Sequence, residues 1–190
     1  MLLCKKHIAL NSLRNLFLVL TFCISTLSFA QEKQKITIEY AGIATSDPDI
    51  EEGALVFLRD ESQQVHFTHK GVNLFCDKAI YYQDQDYIEA FSGPSGIVTV
   101  KQGDSINMIA KYVEYSGKTE LAFAQGEVVL TEPQSVLTTD KLYFDRTRQL
   151  AYYNTKGKVV RDSSGTITSQ IGRYYMNAKK YQFTKESIST

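Results

Sequence analysis

A repeat constrains this chain more than any other feature. Aligning one aromatic per unit places Tyr81, Tyr115, Phe144 and Tyr174 in register, at spacings of 34, 29 and 30 residues. Seven positions before each stands an apolar residue: Leu74, Met108, Leu137 and Ile167. Six or seven positions after each comes another, Ile88, Leu121, Leu150 and Tyr181, followed two residues on by Ala90, Phe123, Tyr152 and Phe183. A period near thirty marks one supersecondary element used four times. Such an element cannot bury its apolar face alone and must stack on its neighbours.

The element consists of strands. Apolar residues step by two, as in Val113-Tyr115 and Leu142-Phe144, and no helical stripe at i, i+3, i+4 accompanies them. Polar turns such as Gln83-Asp84-Gln85-Asp86, Ser116-Gly117-Lys118 and Asn177-Ala178-Lys179 separate runs rich in Val, Ile, Thr, Tyr and Phe. Between Ala110 and Val113, and between Thr139 and Leu142, the inward positions lie three apart, which would flip the faces of a flat strand. A bulge or corner at Asp140-Lys141 and its equivalents restores the phase and folds the sheet into two facing layers. The expected fold class is all-β: repeated antiparallel strands around an apolar interior.

The periodicity assigns an inward set. It comprises Leu74, Tyr81 and Ile88 in the first unit, and Met108, Val113, Tyr115, Leu121 and Phe123 in the second. The third supplies Leu137, Leu142, Phe144, Leu150 and Tyr152, and the fourth Ile167, Tyr174, Tyr181 and Phe183. In the fourth unit Gly172 stands where others carry Ala79, Val113 and Leu142, which is expected to weaken that inner face. Ahead of the repeats, Ile36, Ile38 and Tyr40 alternate with polar residues and form an opening strand. With Tyr181 and Phe183 at the other end, they are candidates for edge-strand assembly. Residues 45–53 read as a solvated acidic loop, and 54–58 as a strand without an assigned neighbour.

The first thirty residues have the form of a secretory signal peptide. Lys5, Lys6 and Arg14 are their only charges, Leu16 to Leu27 is largely apolar, and Ser28-Phe29-Ala30 predicts cleavage between Ala30 and Gln31. The alternative is a retained anchor, although the apolar core falls short of the roughly 20 residues of a bilayer span. The expected organisation is leader 1–30, N-terminal strands and acidic loop 31–64, and repeats 65–187. After cleavage Cys76 is alone, so core and ladders must hold the fold. Lys plus Arg and Asp plus Glu number 21 each, which leaves no basic excess for a nucleic-acid backbone.

No motif carries catalysis. Gly117-Lys118-Thr119 has the tail of a phosphate loop, but Tyr112 stands where the required glycine should be, so a hairpin turn is expected. His66 and His69, three apart on a strand, point to opposite faces and do not form a metal pair. Asp47, Asp49, Glu51 and Glu52 lack the order of a calcium loop. Asp77, Asp140 and Asp145 sit where corners and turns favour aspartate. The reading is a protein that is not an enzyme, with no metal and no cofactor.

The segments "LFCDKAIYY", "MIAKYVEYSGKTELAFAQGEVVL", "LTTDKLYFDRTRQLAYYNTKGKVV" and "ITSQIGRYYMNAKKYQF" resemble the OstA-like, or LptA-type, periplasmic domain of lipopolysaccharide transport. The resemblance covers about residues 65 to 187. It implies a V-shaped β-jelly roll whose interior, lined by the inward set, holds acyl chains of lipopolysaccharide or lipid A. It also implies assembly edge to edge with other jelly-roll components of a bridge, or with further copies, in the periplasm. The alternatives are a structural module that docks through its edges without a lipid, and an LptC-like component anchored by its leader.

Overall fold

The computed structural model describes residues 34–46, 53–162 and 165–189, with side chains up to Thr184. The expected leader and the acidic residues Asp47 to Glu52 lie outside the described residues. Sixteen strands follow one another among those described. The first six are β1 (Thr37–Tyr40), β2 (Ile43–Ser46), β3 (Ala54–Leu58), β4 (Val65–His69), β5 (Val72–Cys76) and β6 (Lys78–Tyr82). Next come β7 (Tyr87–Phe91), β8 (Val98–Gln102), β9 (Ile106–Ala110), β10 (Tyr112–Ser116) and β11 (Leu121–Glu132). The chain closes with β12 (Ser135–Asp145), β13 (Leu150–Tyr153), β14 (Gly157–Arg161), β15 (Gly165–Tyr175) and β16 (Lys180–Ser189).

Every pairing is antiparallel, and the sheet folds over on itself. One layer runs β1, β4, β5, β8, β9; the other runs β2, β3, β6, β7, β10. The long strand β11 joins them, since its first half pairs with β10 and its second with β9. In the same way β12 pairs with β14 through its first half and β13 through its second, and β15 then pairs with both. The segment 54–58, unplaced from sequence, is the strand between β2 and β6.

The corners fall where the phase of the pattern breaks. Asp77 alone separates β5 from β6, and Lys111 alone separates β9 from β10. In β12 burial shifts from Leu137 and Thr139 to Leu142 across Asp140. In β11 the register against β12 slips between Gln125 and Val128, with Gly126 at φ 80° and Glu127 at φ 50°. Gly126 is required twice over: an L side chain rarely adopts its φ, and a Cβ there would lie 2.9 Å from the Cβ of Lys111.

Hairpin turns at the opposite end share one construction. Loops 83–86, 117–120, 146–149 and 176–179 each hold four residues, and the fourth is left-handed in every case: Asp86, Glu120, Gln149 and Lys179, at φ 49°, 58°, 51° and 48°. Successive turns are also bonded to each other. The amide of Gly117 donates to the Asp86 carbonyl at 2.7 Å, that of Arg146 to Glu120 at 3.1 Å, and that of Met176 to Gln149 at 2.9 Å. Turn geometry therefore propagates the stacking that the strand ladders begin.

Apolar side chains from both layers meet between them. Phe57 and Phe67, on opposite layers, meet edge to face with centroids 5.7 Å apart, and Tyr81 lies 6.4 Å from Phe67. Cys76 is fully buried at the corner end, and burial, with the charge of Asp77 beside it, pushes its thiol up to about 12. That makes it a packing residue rather than a nucleophile at neutral pH.

Candidate functional site

The layers are pinched at their corners, and a cavity of about 80 Å³ lies between them at the turn end. Its wall is apolar and built from equivalent positions of successive units, with Leu74, Val100, Met108 and Leu130 on one layer and Ile88, Val113, Leu142 and Phe144 on the other. Cross-strand register explains this, because directly paired residues share a face. Leu74 pairs with Val100, Val100 with Met108, and Met108 with Leu130. Tyr115 pairs with Ile88 and Ala122, and Ala122 with Phe144.

A polar seam closes the cavity's mouth and ties one layer to the other. Nε2 of His69 donates to the Gln34 carbonyl at 2.7 Å, and the Tyr115 hydroxyl donates to Nδ1 at 2.5 Å, the roles required of the neutral ring by the carbonyl acceptor. Lys70 pairs with Glu120, while Arg146 donates to the Lys70 carbonyl at 2.6 Å and lies 3.6 Å from the Glu120 carboxylate. Burial pushes the Tyr115 hydroxyl up to about 12, against the pull of Arg146. The amide of Ile36 donates to Asp86 Oδ1 at 3.1 Å, which also accepts from Tyr81 at 3.0 Å, so the segment before β1 lies across the same opening.

Of the residues assigned inward from the sequence, Leu74, Ile88, Met108, Val113, Tyr115, Leu142 and Phe144 line the cavity. Tyr81, Leu137 and Tyr174 are buried in the same core but outside the cavity, and Tyr181 and Phe183 pack against that core. Ile167 is half-buried beside Val159, its strand partner. Four assignments are corrected: Leu121, Phe123, Leu150 and Tyr152 face outward. Leu121 is 49% exposed and Tyr152 37%. Phe123 pairs with Tyr143, and Leu150 with Asp145 and Tyr175, all on the outer face.

The reason is the constant four-residue loop. It makes the inward partner always seven residues after the aromatic, so Ala122 and Ala151 take the places that an offset of six gave to Leu121 and Leu150. Tyr153, 1% exposed, then occupies the interior instead of Tyr152. Gly172 does not weaken its face, because it makes room for that ring: a Cβ there would lie 2.4 Å from Cζ of Tyr153. The Tyr153 hydroxyl meets Ser169 Oγ at 2.7 Å.

Sequence reasoning missed His69, Gln102 and Arg146 in the wall, and gave Ile36 only an edge role. Nothing in strand periodicity marks contacts between turns 50 or 76 residues apart, such as Lys70 with Glu120 and with Arg146. Of the edge candidates, Ile38 is 38% exposed on β1, and Tyr40 donates its hydroxyl to Asp60. Among the described residues no cluster of His, Cys, Asp and Glu is placed to hold a metal ion.

A model of the OstA-like protein family matches residues 33–188. The chain belongs to that family. The match takes in the first strands as well as the repeats. Among solved structures, the fold is similar to that of LptH from Pseudomonas aeruginosa, described as the LptA-homologous periplasmic component of a lipopolysaccharide transport device. The TM-score is 0.51 and the identity 16%, over 64% of this chain and 83% of that one. In sequence, no curated protein matches the chain.

Proposed function

We propose that this OstA-like chain is a periplasmic component of lipopolysaccharide transport that holds acyl chains between its two layers. The observation that carries this reading is the apolar cavity at the turn end, walled by repeat positions. At about 80 Å³ it is well below the roughly 300 Å³ of small ligand sites, so an acyl chain enters as the layers part at the polar seam. Each methylene taken from water contributes about 0.8 kcal/mol, so even partial insertion gives reversible affinity suited to a carrier. Among the described residues β1 and β2 each pair with one neighbour, as does β16, which supports assembly through these edges. Native mass spectrometry of protein purified from a lipopolysaccharide-producing host tests the reading. A lipopolysaccharide or lipid A adduct, lost in Phe144→Glu, supports it. A clean mass that added lipid leaves unchanged overturns it in favour of an edge-docking module with a sealed core.

A further inference from the structure

The outer face of the layer that contains β7 and β10 carries a pattern that the interior does not use. One row of directly paired residues crosses it: Glu89 with Glu114, Glu114 with Phe123, Phe123 with Tyr143, Tyr143 with Tyr152, and Tyr152 with Arg173. Three rings in the middle are in contact: Tyr143 and Tyr152 stack with centroids 4.8 Å apart, and Phe123 meets Tyr143 at a tilt of 39° with centroids 4.9 Å apart. Leu121, Tyr152 and Tyr175, three of the seven large apolar side chains described as exposed, lie on this face. Across the other layer the equivalent outward row is mixed and has no run of rings at its centre: Thr99 with Ile109, then Val129, Thr138, Lys158 and Thr168.

The charges on the aromatic row are unbalanced at each end. Glu89 and Glu114 stand directly opposite on neighbouring strands, an arrangement that costs stability. Tyrosines hold them: Tyr82 donates to Glu89 at 2.9 Å, and the Tyr112 hydroxyl lies 2.9 Å from both Glu89 and Glu114, which share its one proton. Among the described residues no cation pairs with either carboxylate, and the exposed Arg173 at the far end pairs with no anion. Acid, aromatic and base follow one another in a line. Turned about a twofold axis along the strands between β11 and β12, the line complements itself.

From this we infer that the protein forms a face-to-face dimer through this row, with Glu89 against Arg173 of a second copy, Glu114 against Tyr152, and Phe123 against Tyr143. An isologous contact requires such self-complementarity, because each patch must fit its own copy. A row of side chains crossing six strands suits packing against a second sheet. The contact leaves β1, β2 and β16 free for edge pairing and does not depend on what the interior holds.

Sedimentation equilibrium of the purified protein and of charge variants tests this. Like charges brought together at an interface weaken association by on the order of a hundredfold, so Arg173→Glu is expected to shift the dimer to monomer. Glu89→Arg in the same chain is expected to restore it. Tyr143→Ala, which removes the central ring without altering charge, should also dissociate the dimer if Glu89→Arg alone disturbs the fold. A wild-type monomer at high concentration overturns the inference. So does an oligomer that none of these substitutions alters, since that result assigns the contact to the edges.

Discussion

The hydroxyl of Tyr115 meets Nδ1 of His69 at 2.5 Å, so one hydrogen bond joins a hairpin of the first layer to a hairpin of the second at the turn end of the sandwich. Tyr115→Phe keeps the ring in the cavity wall and removes the hydroxyl that bonds His69 and interacts with Arg146. The expected loss is about 1 kcal/mol, read as a lower urea midpoint with an unchanged slope. If the layers part here to admit an acyl chain, the same variant takes up a fluorescent fatty-acyl probe faster than wild type. Equal uptake rates place the entry elsewhere.

Gly172 and Tyr153 fit only as a pair. A methyl group on residue 172 would meet the Tyr153 side chain at 2.4 to 2.5 Å, and one on residue 157 would meet the same ring at 2.5 Å, so two glycines make room for it. Gly172→Ala is therefore expected to cost about 1–3 kcal/mol. Tyr153→Leu in the same chain should recover part of it, so that the two losses are less than additive. Thermal unfolding of the two single variants and the double variant measures the coupling, and additive losses would mean that the clash is relieved by backbone movement.

Much of this was legible in the sequence. The repeat, the strand period and the three-residue phase breaks at Lys111 and Asp140 identify a sheet folded at regular corners, because corner and strand are local properties of the chain. In the second and third hairpins the large residues Leu121 and Leu150 point the sequence reading to the wrong face of the second strand. The interior there is lined by the small residues Ala122, Ala124 and Ala151, which carry little apolar signal in the sequence. A constant loop of four residues, each closing on a left-handed residue, would have corrected this, since it fixes the offset at seven. The seam between His69, Lys70, Glu120 and Arg146 had no local signal, because it depends on how turns from two layers meet in space.

Asp77 gives the fold an acid-sensitive corner. Its carboxylate is almost fully buried, which alone would raise its pKa, but hydrogen bonds from Ser95, Gln64 and Gly93 prevail and hold it below the usual carboxylate range. A folded-state pKa below the unfolded value gives stability that is present above the unfolded pKa, about 3.9, and is lost as pH falls through the folded one. Urea midpoints between pH 7 and pH 2 should therefore fall more steeply for wild type than for Asp77→Asn below about pH 4. Parallel curves would assign the acid sensitivity to other carboxylates.

Tyr143 and Phe144 are neighbours on β12 that face opposite ways: Phe144 lines the cavity, and Tyr143 stacks on Tyr152 and meets Phe123 at a tilt on the outer face. A photoactivatable side chain at each position separates the two surfaces with almost no change in location along the chain. At 144 it is expected to capture lipopolysaccharide, by the proposed role of the interior, and at 143 a second copy of the protein, by the proposed face-to-face contact. Lipid captured equally at both positions would mean nonspecific association with the sheet. Protein captured at 144 would mean that the layers open far enough for another chain to enter, and the interior would then be an interface rather than a lipid site.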